Sequence, residues 1–105
     1  MDVLIRIKGL IQRDRVRFSD KAQSEVVDSG LTQEDVLNSI MTASVIVKVM
    51  RSRSPSRRRM HEKLYVIHGL TRQGVLVYTK GTFRTEAGEE VFYVLVSAKK
   101  AVYWS

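Results

Sequence analysis

The chain contains no cysteine. Disulfides, thiol catalysis and cysteine-ligated zinc are therefore excluded. Its only proline, Pro55, stands in a stretch with no aliphatic or aromatic side chain. Two histidines occur, His61 and His68, seven residues apart, which is not a metal-binding spacing. No acidic cluster suggests a two-metal nuclease, and no glycine-rich loop is placed to cradle a phosphate. No apolar run approaches the ~20 residues of a membrane span. The opening residues carry an acid at Asp2 and no small-residue cleavage site, so a signal peptide is not expected and a cytoplasmic location is.

What is present is a chain of 105 residues, 44% hydrophobic, enough for one domain with a real core. Its formal net charge is +7, which points to an anionic partner, most often nucleic acid. The charge is unevenly placed. Residues 18–47 hold one base and five acids, net −4, whereas residues 48–63 hold seven bases and one acid, net +6. Five arginines fall within Arg51–Arg59, and that segment reads as a mobile basic loop over about residues 51–61 that contacts phosphates through Arg51, Arg53, Arg57, Arg58 and Arg59.

Local patterns predict the elements. Val3, Leu4, Ile7, Leu10 and Ile11 recur at helical spacing over Asp2–Gln12. Arg15–Phe18 alternates and predicts a short strand. Ser19 is an N-cap for a helix that runs to about Ser29 and ends at Gly30, with Ala22, Val26 and Val27 inward. Thr32 caps a third helix carrying Val36, Leu37, Ile40 and Met41 on one stripe. Ser44–Met50 is β-branched and predicts a strand. Three further strands are expected at about Lys63–Leu70, Val75–Arg84 and Glu90–Lys99, turning at Arg72-Gln73-Gly74 and at Glu86–Glu89. The order gives a single α+β domain over residues 1–105, with N-terminal helices on a mainly antiparallel sheet.

Register decides which side chains meet. A four-residue second turn pairs Tyr78 with Ser97 and places Val75, Val77, Phe83, Phe92, Val94, Val96 and Ala98 on the core face. The other face then holds Tyr78, Lys80, Arg84, Tyr93, Ser97 and Lys99. An even-membered first turn adds Leu64, Val66, His68 and Leu70 to the core, and His61, Lys63, Tyr65 and Ile67 to the polar face. A three-residue or bulged turn would flip that strand.

A face rich in histidine, lysine, arginine and tyrosine suits RNA cleavage. The substrate's 2′-hydroxyl needs a base, the 5′-oxygen needs an acid, and the phosphorane needs cations. No cofactor is required, because the nucleophile belongs to the RNA. Tyr78, Lys80 and Lys99 are expected to act together, with His61 or Lys63 transferring a further proton. Arg84, Tyr93 and Lys100 join the basic loop as RNA contacts. The plain alternative is a solvated sheet face.

The runs Phe18-Ser19-Asp20-Lys21-Ala22, Ser29-Gly30-Leu31 to Val36, and Leu64-Tyr65-Val66-Ile67-His68-Gly69-Leu70-Thr71 followed by Gly74–Tyr78 resemble a bacterial domain family similar to the RelE-like toxin superfamily, which includes BrnT and MqsR-type toxins. Where that family usually has histidine and arginine, this chain has Lys21 and Ser29. The run Phe92–Lys100 resembles the last strand of MqsR-type toxins, whose active face would correspond to Tyr78, Lys80 and Lys99. The resemblance implies a type II toxin acting as an mRNA endoribonuclease, on the ribosome or off it, with a cognate antitoxin protein as partner. A non-catalytic nucleic-acid-binding module, or an antitoxin-binding protein using the same face, is the alternative.

Overall fold

The computed structural model describes residues 2–52, 62–86 and 90–101. His61 and the arginines at 53, 57, 58 and 59 lie outside the described residues, so the expectations placed on them are not addressed by the fold.

The helices begin where local chemistry starts them. Asp2 caps α1 (Val3–Gln12) by accepting from the Leu4 amide at 2.9 Å. Ser19 caps α2 (Asp20–Asp28) through the Ala22 amide, and Gly30 leaves that helix in the left-handed region at φ 72°. Thr32 and Asp35 form a reciprocal capping box at the start of α3 (Gln33–Thr42). Leu4, Ile7, Leu10 and Ile11 of α1 meet Ala22 and Val26 of α2 and Val36 and Ile40 of α3 in one cluster. Val27, expected inside, is exposed.

The strands are β1 (Val16–Phe18), β2 (Lys48–Arg51), β3 (Lys63–Leu70), β4 (Leu76–Glu86) and β5 (Glu90–Lys100). They form one sheet in the order β1-β5-β4-β3-β2, antiparallel except where β1 runs parallel to β5. The fold is α+β. The helix cluster packs on the sheet face that carries Ile67, Val77, Leu95 and Ala98. The opposite face, called the open face below, carries no helix among the described residues.

Two local features set the register, and both correct the sequence expectation. The β3–β4 turn is three residues long. Thr71 donates to the Val75 carbonyl at 2.9 Å, and Gly74 takes φ 81°, a conformation glycine adopts at no steric cost. An odd loop flips β3: Ile67 is fully buried in the core, and His68 pairs with Tyr78 on the open face. Leu64 and Val66 share that face with His68, and Leu70, expected in the core, is half exposed there. Lys63, two residues before Tyr65 on β3, goes to the core side with it and away from Tyr78.

The β4–β5 hairpin also has an odd loop, pairing Glu86 with Glu90 and Phe83 with Tyr93. That puts Tyr93, expected among RNA contacts, in the core at 0% exposure. The space it fills exists because β4 has no side chain at Gly81, where a Cβ would lie 2.5 Å from the Tyr93 ring. Phe92 and Val94, expected in the core, turn to the open face instead. A bulge between Lys80 and Gly81 then adds one residue to β5 and restores the phase, so Lys80 pairs with Ser97 and Tyr78 with Lys99.

Candidate functional site

The open face is organised in rows. His68, Tyr78 and Lys99 stand side by side on β3, β4 and β5. The next row is Lys48, Val66, Lys80 and Ser97, from β2 to β5. Side chains two residues apart on a strand lie about 7 Å apart. Around the Tyr78 phenol the two rows therefore place one imidazole, His68, and two ammonium groups, Lys80 and Lys99, within the reach of one phosphodiester, with Lys48 two strands away.

Contacts within the first row are close. The His68 and Tyr78 ring centroids are 5.5 Å apart and tilted by 52°. The Lys99 ammonium lies 5.7 Å from the Tyr78 centroid. These residues line a depression of about 270 Å³ together with Lys100 and Ala101. Lys100 thus borders the site, although it pairs with Val77.

The residue that organises this corner, Glu25, was not anticipated. Where β1 stops, α2 continues along the edge of β5. Ser19 reaches the Val96 carbonyl at 3.4 Å, and the Lys100 amide donates to the Ser29 hydroxyl at 3.1 Å. Between them Glu25 Oε1 accepts from the Ser97 hydroxyl at 2.6 Å and the Ala98 amide at 3.1 Å, while Oε2 lies 3.8 Å from Lys99 Nζ. Its side chain is 19% exposed. Burial pushes the carboxyl pKa up, but the two hydrogen bonds and the charges of Lys21 and Lys99 outweigh it, and the net direction is down. Glu25 is thus an anion that satisfies an edge amide and fixes Lys99. No local motif marks it, because its role depends on α2 lying against a strand more than seventy residues later.

Tyr78 responds in the opposite direction. Burial raises its pKa first, and the negative charge of Glu25 raises it further. The phenol stays protonated at neutral pH, which makes it a hydrogen-bond or proton donor.

Other expected residues fall around this centre. Arg84 is on the open face, held by Glu62 at 3.3 Å from two guanidinium nitrogens. It borders a second depression of about 250 Å³ with Lys21, Lys80 and Val96. Arg51 pairs with Lys63 at the far edge of the sheet. No group of three or more histidine, aspartate or glutamate side chains that could hold a metal ion occurs among the described residues. No helix there is long and apolar enough to cross a membrane. No family model, curated protein or solved structure matches this chain.

Proposed function

We propose that this protein is a cytoplasmic, metal-independent RNA endoribonuclease of the type II toxin class, with the open face as its active site. The observation that carries the reading is the row His68–Tyr78–Lys99, with Lys80 in the adjoining row. His68 supplies the imidazole of this row, His61 lies outside the described residues, and Lys63 faces the other side of the sheet. An imidazole carries one ring nitrogen that can accept a proton and one that can donate.

The chemistry follows from these groups. His68 accepts the proton of a substrate 2′-hydroxyl as its oxygen attacks the adjacent phosphorus. The bond from phosphorus to the 5′-oxygen breaks, and Tyr78, the protonated donor of the row, delivers a proton to that oxygen. Lys80 and Lys99 offset the charge that builds on the phosphorane oxygens. The products are a 2′,3′-cyclic phosphate and a 5′-hydroxyl. The partners on this reading are mRNA, free or on the ribosome, and an antitoxin protein covering the basic face. One observation favours the alternative of a non-catalytic RNA-binding module: Lys99 is engaged by Glu25.

The test is cleavage of a mixed-sequence RNA in EDTA, with and without ribosomes. Wild type should cut it, and His68→Ala and Tyr78→Phe should each lose about 10²–10⁴ of the rate, the usual share of an acid–base group. Expression should arrest growth, with relief from the product of the adjacent gene. Tight RNA binding without cleavage in either setting would leave the binding module as the reading.

A further inference from the structure

The register shift that buries Tyr93 turns its neighbour Phe92 to the open face, and the surroundings of that ring differ from the catalytic rows. Phe92 pairs with Arg84 on β4 and is only partly buried. The Arg17 guanidinium lies 4.3 Å from its ring centroid and that of Arg15 lies 5.6 Å away. Arg17, Arg84 and Phe92 line a depression of about 320 Å³, with Phe18 and Thr85 on its rim. That volume falls at the small end of ligand sites, roughly 300–1,000 Å³. Arg84 also borders the depression that contains Lys80. The three hollows therefore follow one another along the face, from Phe92 past Arg84 and Lys80 to Tyr78. Arg84 and Tyr78 are six residues apart on β4, about 20 Å.

Resting on the nuclease reading above, we infer that the Phe92 depression is a base-stacking subsite that holds single-stranded RNA upstream or downstream of the phosphate cut at Tyr78. The chemistry of the two ends differs in the way a strand of RNA requires. The Tyr78 end offers proton donors and ammonium groups to a phosphate. The Phe92 end offers a guanidinium layered over an aromatic ring, a flat surface on which any base stacks whatever its hydrogen-bonding edge. A partly exposed aromatic ring dressed with arginine is of little use to a phosphate alone. Arg84, held by Glu62, stands beside Phe92 and also borders the next depression toward Lys80, where the connecting backbone would pass.

Binding is measured with an eight-nucleotide 2′-O-methyl RNA, which cannot be cut, and with the same strand carrying one abasic position moved along it. Phe92→Leu keeps apolar volume and removes the ring. It should weaken binding by roughly 5- to 150-fold, the range of one stacked base, with an unchanged salt dependence, since no phosphate contact is lost. Phe92→Trp in a Trp104→Phe background should bind like wild type, with tryptophan fluorescence quenched by the RNA. One abasic position should abolish the difference between wild type and Phe92→Leu. Equal affinities of wild type and Phe92→Leu would overturn the subsite and leave the nuclease reading standing. So would a lower melting temperature with unchanged affinity per folded molecule, since the ring would then serve only to fasten β1 to β5. Folded wild type that binds no RNA would overturn both readings. Phe92-dependent binding without cleavage of ordinary RNA would uphold the subsite and reject the nuclease.

Discussion

Replacing Gly69 by alanine tests which way β3 faces, and so whether His68 belongs to the site. A methyl group at Gly69 would lie 2.6 Å from the Ser39 carbonyl carbon and 3.3 Å from its Cα, and closer still to the carbonyl oxygen. These are backbone atoms of α3 and cannot swing aside. Carbon contacts become comfortable near 3.5 Å, so the helix must rise by about 1 Å. Val36 and Ile40 are fully buried on the underside of α3, each worth about 1.5–3 kcal/mol of burial. A gap of 0.5–1 Å forfeits roughly a quarter to a half of the contact energy. The loss is then about 1–3 kcal/mol, the range usual for an overfilled core, and lowers Tm by roughly 5–20 °C. Urea and thermal unfolding measure it. In the opposite register Gly69 faces the open side, where an added methyl relieves the entropic cost of glycine in a strand. Gly9→Ala is the control: among the described residues its methyl would have only Arg13 nearby, at 3.5 Å, so α1 should gain up to about 1 kcal/mol. If Gly69→Ala is as stable as wild type while Gly9→Ala gains, β3 is flipped and His68 leaves the proposed mechanism.

Three further outcomes follow from the same geometry. The Tyr93 hydroxyl is buried without a hydrogen-bond partner among the described residues, so Tyr93→Phe should match wild type or exceed its stability by about 1 kcal/mol, with RNA binding unchanged; a loss above 1 kcal/mol in urea would contradict this. Glu25→Gln should cost about 1–2 kcal/mol at neutral pH. Because the Glu25 pKa is lower in the folded state, that contribution is complete above the ordinary glutamate value near 4.3 and fades as pH falls through the lower folded one. Tm against pH should therefore draw together for the two proteins as the medium is acidified below the ordinary glutamate value, and a constant gap throughout acidification would refute it. Lys80→Ala should reduce cleavage at least tenfold, whereas Lys63→Ala, on the other side of the sheet, should leave it within about twofold; equal losses would show that charge matters and position does not.

The helices were legible because their signals are local. Ser19, Gly30 and Thr32 act within four residues of where they stand, and all three do what their chemistry requires. Register was harder to read, because one residue of loop length reverses every side chain. Gly74 carried the clue, as the third residue of a three-residue turn that needs positive φ. The bulge beside Gly81 had no comparable signal. The trio Tyr78, Lys80 and Lys99 came out on one face only because the odd loop and the bulge each shift the phase once and the two cancel. Between loop and bulge they do not cancel, which is why Tyr93 and Phe92 exchange places. The predicted strand over residues 44–50 becomes Lys48–Arg51 at the sheet edge, leaving Val45 and Val47 outside it and exposed, and Val49 within it is exposed too.

The parallel pairing of β1 with β5 dictates the order in which the face can be made. The Ser19–Val96 hydrogen bond spans 77 residues and the Glu25–Ser97 bond spans 72. During synthesis α1, β1 and α2 emerge with no sheet to close upon, and the strand that must lie between β1 and β4 emerges after all of them. A nascent chain that has not reached Glu90 can hold Tyr78 and Lys80 but has neither Lys99 nor the Glu25 anchor, and Arg17 has no Phe92 beneath it. Arrival of β5 draws front, middle and back of the chain together in a single closing step, a topology that folds slowly because its contacts are distant in sequence. The row of Tyr78 and Lys99 and the row of Lys80 and Ser97 are therefore completed together, by the last strand of the chain to be made.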